Sequence, residues 1–185
     1  MPSKPPAVHG KSPAAAVCFR TRNDDVVTFD AKRTRSPCRK QWDQFNVVQK
    51  TTNMKELEAL TKLKQQGAHR VPRLLYGKPK SGNRAEVRMT KVGTSLTDMG
   101  GRRGGGGKAL VKRNKRLLED DLRKAMGTMK AAGILHQDMA PRNVTWDGKH
   151  FHVIDFDIVD FRSDWDIDSE VEEAMDVIEA WANKS

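Results

Sequence analysis

The sequence predicts an α+β fold, because segments with helical periodicity are interspersed with short runs of strand-forming residues. Apolar residues recur every three or four positions in the segments 54–63, 118–129 and 171–181, which is typical of helices with one buried face. Runs rich in Val, Ile, Thr and Phe lie between turn-forming residues and predict strands. At 185 residues, the chain is long enough for one domain, or one small two-lobed unit, with a proper core.

The first half of the chain is predicted to consist mainly of strands, with one helix among them. Residues 1–13 are rich in Pro, Ser and Lys and are predicted to form a disordered tail. The helix over 54–63 is predicted to end at Gly67, since glycine commonly follows the last helical turn. Strands are predicted at 14–19, 26–29, 45–50, 71–77 and 85–89.

A glycine-rich basic run, GGRRGGGGK at 100–108, interrupts the middle of the chain. It does not satisfy the phosphate-binding pattern G-x-x-x-x-G-K-[ST], because Arg102 replaces a glycine and Ala109 replaces the Ser or Thr. A run this rich in glycine has high chain entropy, so we predict a flexible linker over residues 97–116. Its basic residues are suited either to contact with RNA or an acidic partner or to a solvated loop.

The second half of the chain is predicted to contain two helices around a hairpin. The helix over 117–132 carries the acidic residues Glu119, Asp120 and Asp121 in its first turns, where they favour the helix dipole. Asp147-Gly148 separates two β-prone runs, a pattern that predicts a hairpin. A last helix is predicted over 168–182.

Three polar residues, Asp138, Asn143 and Asp155, are predicted to meet at one end of this hairpin. His136, Asp138 and Asn143 form an H-x-D-x-x-x-x-N unit, and Asp155 follows the second hairpin strand. The hairpin would hold Asn143 at the start of one strand and Asp155 at the end of the next. An Asn and an Asp from different segments can supply hard oxygen ligands to Mg²⁺. The separate carboxylate of Asp138 can accept a hydroxyl proton or orient an attacking group.

The spacing of these residues, with the hairpin between them, resembles the protein-kinase-like superfamily. Its catalytic loop reads H-x-D-x-x-x-x-N and its metal-binding segment reads D-F-G, which is Asp155-Phe156-Asp157 here. The likeness is greatest to compact atypical kinases and small-molecule phosphotransferases. It implies a minimal two-lobed fold, with a β-rich N-lobe and one helix over 14–96 and a truncated, mainly helical C-lobe over 117–185.

The resemblance also implies an activity, the transfer of the γ-phosphate of ATP to a hydroxyl of a protein or small molecule. Asp138 would be the catalytic base, and Asn143 and Asp155 would hold Mg²⁺ on the phosphates. Arg142 would neutralise a phosphate or contact the acceptor. Asp157, which stands at the glycine position of D-F-G, would add a metal ligand or face solvent.

The nucleotide would be held mainly by residues of the first half of the chain. Lys50, at the end of the third predicted strand, would contact the α- and β-phosphates, with Lys32 as the alternative. Glu56 on the following helix would pair with this lysine, with Glu58 as the second choice. The resemblance further implies that residues 89–96 form the hinge between the lobes. Backbone groups of Thr90 and Val92 would hydrogen-bond the adenine, and Met89 would shape the pocket behind it.

Two other functions are compatible with the sequence. The first is a pseudokinase, a nucleotide-binding scaffold without transfer activity, because no glycine-rich loop precedes Lys50; Gly10 is the only glycine before Gly67. The second is an RNA-associated factor that uses this fold as a basic platform. RNA binding with a steep salt dependence that persists in Asp155→Ala would distinguish this last function.

The charge distribution and the cysteine content limit the partners and the compartment. The net charge is +10, but residues 155–185 have a net charge of −9, so the remainder carries +19 and suits phosphate-rich partners. Cys18 and Cys38 are the only cysteines and are not spaced as metal ligands. No apolar run approaches the roughly 18 residues of a membrane span, and no secretory signal is recognisable. These features predict a cytoplasmic or nuclear protein that does not enter a membrane.

Overall fold

The structure is a computed structural model that describes residues 17–20, 26–29, 46–100 and 105–184. The chain divides into two compact units, residues 1–45 and 46–185. In the first unit, β1 (Val17–Arg20) and β2 (Val26–Phe29) pair as antiparallel strands. These strands agree with the runs predicted at 14–19 and 26–29. The predicted tail at 1–13 and the alternative lysine, Lys32, lie outside the described residues.

The second unit begins with an antiparallel sheet of three strands in the order β3–β5–β4. The strands are β3 (Val47–Asn53), β4 (Leu74–Pro79) and β5 (Arg84–Thr90). Helix α1 (Met54–Gln65) follows β3 without a connecting loop, and buries Ala59, Leu60 and Leu63. Gly67 follows the helix with φ +65°, so the sequence prediction of this helix and its end is confirmed.

The helices of the second half of the unit pack around a common core. They are α2 (Gly105–Arg113), α3 (Lys115–Ala131) and α4 (Ile167–Asn183), and α4 lies against both of the others. The predicted stripe of α3 is buried and consists of Leu118, Leu122, Ala125, Met126 and Met129. No helix among the described residues is long and apolar enough to span a membrane. The chain is therefore α+β, as the sequence predicts.

The glycine run is helical from Gly105 onward, so the prediction of a flexible linker over 97–116 is wrong for this part. The reason is packing, because a Cβ atom on Gly107 would lie only 2.0 Å from the Leu96 carbonyl oxygen. The absence of a side chain at Gly107 thus lets α2 approach the preceding segment closely, and Val111 on the same helix is buried. Tertiary contact outweighs the low helix propensity of glycine here. Arg102 and Arg103 lie outside the described residues.

Two glycine-to-alanine substitutions are expected to change stability in opposite directions. Gly107→Ala should lower the free energy of unfolding by about 1–3 kcal/mol, because the new methyl group overlaps backbone atoms. Gly127→Ala in α3 should raise it by about 0.5–1 kcal/mol, because open space surrounds this position and alanine restricts the unfolded chain. Urea denaturation followed by circular dichroism measures both. Equal effects of the two substitutions would contradict the close packing of α2.

The loop that carries Asp138 and Asn143 lies among short strands and a hairpin. β6 (Thr94–Ser95) pairs with β8 (Val144–Trp146), which pairs with β9 (Phe151–Val153). β7 (Leu135–His136) pairs with β10 (Val159–Asp160), and a 3₁₀ turn, Pro141–Asn143, precedes β8. The predicted hairpin around Asp147-Gly148 is therefore confirmed.

The turn of this hairpin is held by the Asp147 carboxylate. The backbone N–H groups of Lys149 and His150 each donate to its Oδ1 at 2.8 Å, and the His152 ring lies 2.8 Å from its Oδ2. Burial alone would raise the pKa of Asp147, but these bonds outweigh it and lower the pKa to about 2. The turn is consequently stabilised by the ionised carboxylate at neutral pH.

The turn end of the hairpin is joined to α3 by Asp121, a carboxylate that is fully buried. Its oxygens accept hydrogen bonds from Arg70 Nε at 2.7 Å and from the Phe151 backbone N–H at 3.0 Å. The His150 ring lies 3.2 Å from the same carboxylate. Asp121 therefore anchors the hairpin rather than serving mainly as an exposed charge near the start of α3.

Candidate functional site

A cleft of about 620 Å³ lies between the three-stranded sheet and the β8–β9 hairpin. Its apolar lining comes from Val48, Met89, Val92 and Ile154, together with Pro72. Its polar lining includes Lys50, Arg142, Asn143 and Asp155. Ligand pockets commonly have volumes of roughly 300–1,000 Å³ and combine an apolar wall with a few polar groups. The cleft thus has the size and the lining of a small-molecule site.

At the polar end, Lys50 connects two acidic residues from distant parts of the chain. Its Nζ lies 2.9 Å from Glu56 Oε2 and 2.5 Å from Asp155 Oδ1. Burial favours the neutral amine, but the hydrogen bond to Asp155 and the charge of Glu56 outweigh it and raise the pKa of Lys50. Lys50 is therefore a fixed positive charge at the end of the cleft.

Glu56, and not Glu58, is the glutamate that the structure brings to Lys50. The Glu56 side chain is fully buried, and its Oε1 accepts a hydrogen bond from the Phe156 backbone N–H at 3.3 Å. Glu58 pairs with Lys62 on the helix surface, at 3.3 Å. The short separation between Lys50 and Glu56 is bridged because β3 passes directly into α1.

Asp155 has a backbone conformation that is uncommon for a residue with a side chain. Its φ is +67°, in the left-handed region that few residues other than glycine occupy. Such conformations are concentrated at functional sites, where the surrounding structure enforces them. The neighbouring Phe156 is fully buried and packs against the His136 ring, with the ring centroids 5.2 Å apart. The strained backbone at Asp155 is thus fixed from both the core and the cleft.

His136 connects the loop that carries Asp138 to the segment that carries Asp155. Its Nδ1 accepts from the Asp138 backbone N–H at 3.2 Å, and its Nε2 lies 3.1 Å from the Ile154 carbonyl oxygen. Burial lowers the pKa of His136 despite the opposing effect of the Ile154 carbonyl. The imidazole is therefore neutral at pH 7, with its proton on Nε2.

The carboxylate of Asp138 is held by its neighbours in the same loop. Arg142 Nη2 lies 2.7 Å from each of its two oxygens, and Asn143 Nδ2 donates to its Oδ2 at 2.9 Å. The Arg142 side chain is 62% exposed and Asp138 is 22% exposed, so Arg142 is the more solvent-accessible partner of the pair. Asp138 is consequently positioned at the boundary of the cleft while its charge is neutralised by Arg142.

Asn143 and Asp155 are suited to the metal-binding role predicted for them. The amide nitrogen of Asn143 is used by Asp138, through both the side chain and the backbone carbonyl, which leaves the amide oxygen for a metal. Among the described ranges, no group of three or more His, Cys, Asp or Glu side chains is arranged to hold a metal. A Mg²⁺ ion at these two residues would therefore take its other ligands from phosphates and water.

At the opposite end of the cleft, the predicted hinge residues have backbone groups already in use. The Thr90 N–H donates to the Arg73 carbonyl at 3.0 Å, and the Val92 carbonyl accepts from the Thr145 hydroxyl. The Val92 N–H has no partner within residues 46–100 and 105–184, so it remains for a ligand. Met89 lines the same part of the cleft. The hinge region can thus offer at least one backbone donor.

Gly93 allows this hinge segment to lie against the β8 strand. Its φ is +88°, and a Cβ atom there would be only 2.2 Å from the Trp146 carbonyl oxygen. The Ser95 hydroxyl donates to the Arg142 carbonyl at 2.9 Å. This bond adds a second connection between the segment after Gly93 and the loop that carries Asp138. The roles of Gly93, Ser95 and Thr145 were missed in the sequence, because a single contact to a distant backbone carbonyl produces no local pattern.

Asn53 is a further residue that the sequence analysis missed, although a local pattern marked it. Its Oδ1 accepts from the Glu56 backbone N–H at 2.9 Å and caps α1, while its Nδ2 donates to the Asp157 carbonyl at 2.9 Å. A capping residue followed three positions later by a glutamate is a known signature of a helix N-terminus. Asn53 thus joins the start of α1 to the segment after Asp155.

Comparison with known proteins assigns no family to the chain. No protein-family model matches it, and no curated protein matches it. The arrangement of side chains around the cleft is therefore the basis for any functional conclusion.

Proposed function

We propose that the protein is a phosphotransferase that uses Mg²⁺ and ATP, with a minimal two-lobed protein-kinase-like fold. One observation carries the proposal, which is that Lys50 contacts both Glu56 and Asp155 at the cleft that Asn143 also lines. Lys50 and Asp155 are 105 positions apart in the sequence. A cation, a carboxylate and an amide at one end of an apolar cleft are the groups expected to bind the phosphates and the metal ion of a nucleoside triphosphate.

Each end of the cleft would bind a different part of the nucleotide. The adenine ring would lie against Met89 and the other apolar residues of the cleft, where the Val92 N–H offers a hydrogen bond. Lys50 would bind the phosphates, and Glu56 would keep its ammonium group directed toward them. Arg142, which is largely exposed beside the polar end, would exchange its contact with Asp138 for a phosphate oxygen.

The chemistry would depend mainly on positioning and on the stabilisation of charge. Asn143 and Asp155 would hold Mg²⁺, which neutralises charge on the phosphates when it is bound. Asp138 would accept the proton of the acceptor hydroxyl, since its carboxylate lies at the edge of the cleft and is held by Asn143. The proposed location of the protein in the cell is the cytoplasm or the nucleus.

A nucleotide-binding scaffold without transfer activity is a second candidate, and one specific observation favours it. Both oxygens of Asp138 are engaged by Arg142, and Asp155 is paired with Lys50. If these pairs persisted with nucleotide bound, Asp138 could not act as the catalytic base and Asp155 could not bind the metal. This candidate predicts nucleotide binding with no phosphorylated product.

Thermal unfolding with ATP, in Mg²⁺ and in EDTA, tests the proposed function. ATP at a concentration of 100 times its Kd should stabilise the wild-type protein by about 2.7 kcal/mol, because it binds only the folded state. The stabilisation should require Mg²⁺ and should be lost in Asp155→Ala. Asp164→Ala, which removes an exposed carboxylate outside the cleft, is the matched control and should retain it.

Absence of any stabilisation by ATP in the wild-type protein would overturn the proposal. Stabilisation without transfer to any acceptor, and without slow hydrolysis of ATP to ADP, would favour the scaffold instead.

A further inference from the structure

Hydrogen bonds hold the chain on both sides of Asp155. Before it, the Ile154 N–H donates to the Asn143 carbonyl at 2.9 Å. After it, the Phe156 N–H donates to Glu56 at 3.3 Å, and the Phe156 side chain is fully buried. These contacts fix the chain up to Phe156, so the position of the next residue depends on a further contact.

Asp157, the last residue of this segment, is attached to a distant part of the chain by Asn53. The Asp157 carbonyl oxygen accepts a hydrogen bond from Asn53 Nδ2 at 2.9 Å, across 104 positions of the sequence. Within residues 46–100 and 105–184, Asp157 makes no other hydrogen bond and no ion pair. The position of Asp157 therefore depends on the Asn53 side chain.

Asn53 makes this bond while it also caps helix α1. Its Oδ1 accepts from the Glu56 N–H at 2.9 Å, and its backbone is extended, as is typical of an N-cap residue. Aspartate would cap the helix as well, but an ionised carboxylate has no hydrogen to donate to the Asp157 carbonyl. Of the common N-cap side chains, asparagine alone carries an acceptor and a donor on two separate atoms. The side chain at this position therefore suits both contacts.

The bond from Asn53 supports a strained part of the backbone. Asp155 has a φ of +67°, and such a conformation persists in a residue other than glycine only where the surrounding structure enforces it. Asp157 stands where the D-F-G pattern has glycine, and its side chain allows the backbone fewer conformations than glycine would. The hydrogen bonds to Phe156 and Asp157 both come from the start of α1, from Glu56 and Asn53. The start of α1 thus holds the chain that follows Asp155.

We propose that Asn53 is a positioning residue, which holds residues 155–157 in one conformation before any ligand binds and thereby places Asp155 for the binding of Mg²⁺. This inference rests on the proposed function. Asn53 does not line the cleft, so it acts through the Asp157 carbonyl. A metal ion binds more tightly to a ligand whose backbone is already in place, because less conformational freedom is lost on binding.

Amide hydrogen exchange of the full chain without ligand, resolved by residue with NMR, tests this positioning. Asn53→Asp keeps the cap of α1 but removes the donor to Asp157. Exchange at the Phe156 N–H should become about tenfold faster, because the loss of one hydrogen bond changes an opening equilibrium by up to about this factor. Exchange at Leu60, which is buried in the middle of α1, should keep its wild-type rate. No acceleration at Phe156, or an equal acceleration at Leu60, would overturn the inference.

Two further variants separate the lost donor from other effects of the substitution. Asn53→Ser caps α1 without adding a charge, and it should accelerate exchange at Phe156 as Asn53→Asp does. Asn114→Asp is the matched control, since Asn114 is the N-cap residue of α3 and its Nδ2 donates to the Leu110 carbonyl at 3.0 Å, outside the cleft. It should leave exchange at Phe156 unchanged. Acceleration in Asn53→Asp alone, which would indicate charge repulsion, or acceleration in all three variants would overturn the inference.

The Mg²⁺ requirement for stabilisation by ATP separates this inference from the proposed function. In thermal unfolding with ATP, half-maximal stabilisation of Asn53→Ser should need about tenfold more Mg²⁺ than that of the wild-type protein. Saturating Mg²⁺ should restore full stabilisation, because the Asp155 carboxylate is intact, and Asn114→Asp should have the wild-type requirement. Stabilisation by ATP with the same Mg²⁺ requirement in all variants would overturn only the inference. Absence of stabilisation by ATP in the wild-type protein would overturn both.

Discussion

Replacing Asp138 with asparagine is expected to lower kcat for phosphoryl transfer by about 10²–10⁴-fold, the usual contribution of a positioned general base. The amide retains the size of the carboxylate and a hydrogen-bonding oxygen, but it cannot take a proton from the acceptor. The Kd for ATP should change little, because Asp138 is not among the residues that line the cleft. Initial rates of ADP formation, and thermal shifts with ATP, measure the two quantities.

The control for this substitution is Asp164→Asn, which changes an exposed carboxylate outside the cleft. It should retain wild-type kcat. If Asp138→Asn transferred phosphate as fast as the wild-type protein, Asp138 would not be the base. A parallel loss of ATP binding in Asp138→Asn would instead indicate that the substitution disturbs Asn143, to which Asp138 is hydrogen-bonded.

The largest effect on stability is expected from Asp121→Ala, which should lower the free energy of unfolding by about 3–5 kcal/mol. The substitution leaves the Arg70 guanidinium, only 21% exposed, without its buried partner and leaves the Phe151 N–H without an acceptor. Both groups would remain desolvated, and this cost exceeds what the lost contacts contribute. Urea denaturation monitored by tryptophan fluorescence measures the change.

Asp120→Ala is the matched control, since Asp120 is the preceding residue of the same helix and is exposed. It should change the free energy of unfolding by no more than about 0.5 kcal/mol. If both substitutions had the same small effect, the buried network would not anchor the hairpin. The free energies of the two variants therefore report on burial rather than on the charge of the helix.

Elements with a strong local pattern could be predicted from the sequence. The apolar stripe from Leu118 to Met129 placed α3, and Asp147-Gly148 placed the hairpin, because both depend on residues near one another in the chain. The pairing of Lys50 with Glu56 followed from the family resemblance and agrees with the structure. The activity, the nucleotide and the metal inferred from that resemblance remain proposals.

Features that depend on distant contacts could not be predicted. Gly107 is helical because it fits against the Leu96 carbonyl, and a run of glycines contains no information about that contact. Asp121 was expected among acidic residues at the start of a helix, where most carboxylates are exposed, whereas Arg70 and the hairpin bury it. In each case, tertiary packing outweighs the usual preference of the residue type, which is a non-helical conformation for glycine and exposure for aspartate.

Asn53 and Glu56 join the first turn of α1 to the segment that follows Asp155 through hydrogen bonds. Asn53 bonds the Asp157 carbonyl, and Glu56 bonds both Lys50 and the Phe156 N–H. Any rotation of α1 would consequently displace Lys50 and the Asp155 segment together. If the proposed nucleotide and metal bind there, this linkage requires that each changes the affinity for the other by the same coupling free energy, whichever of them binds first.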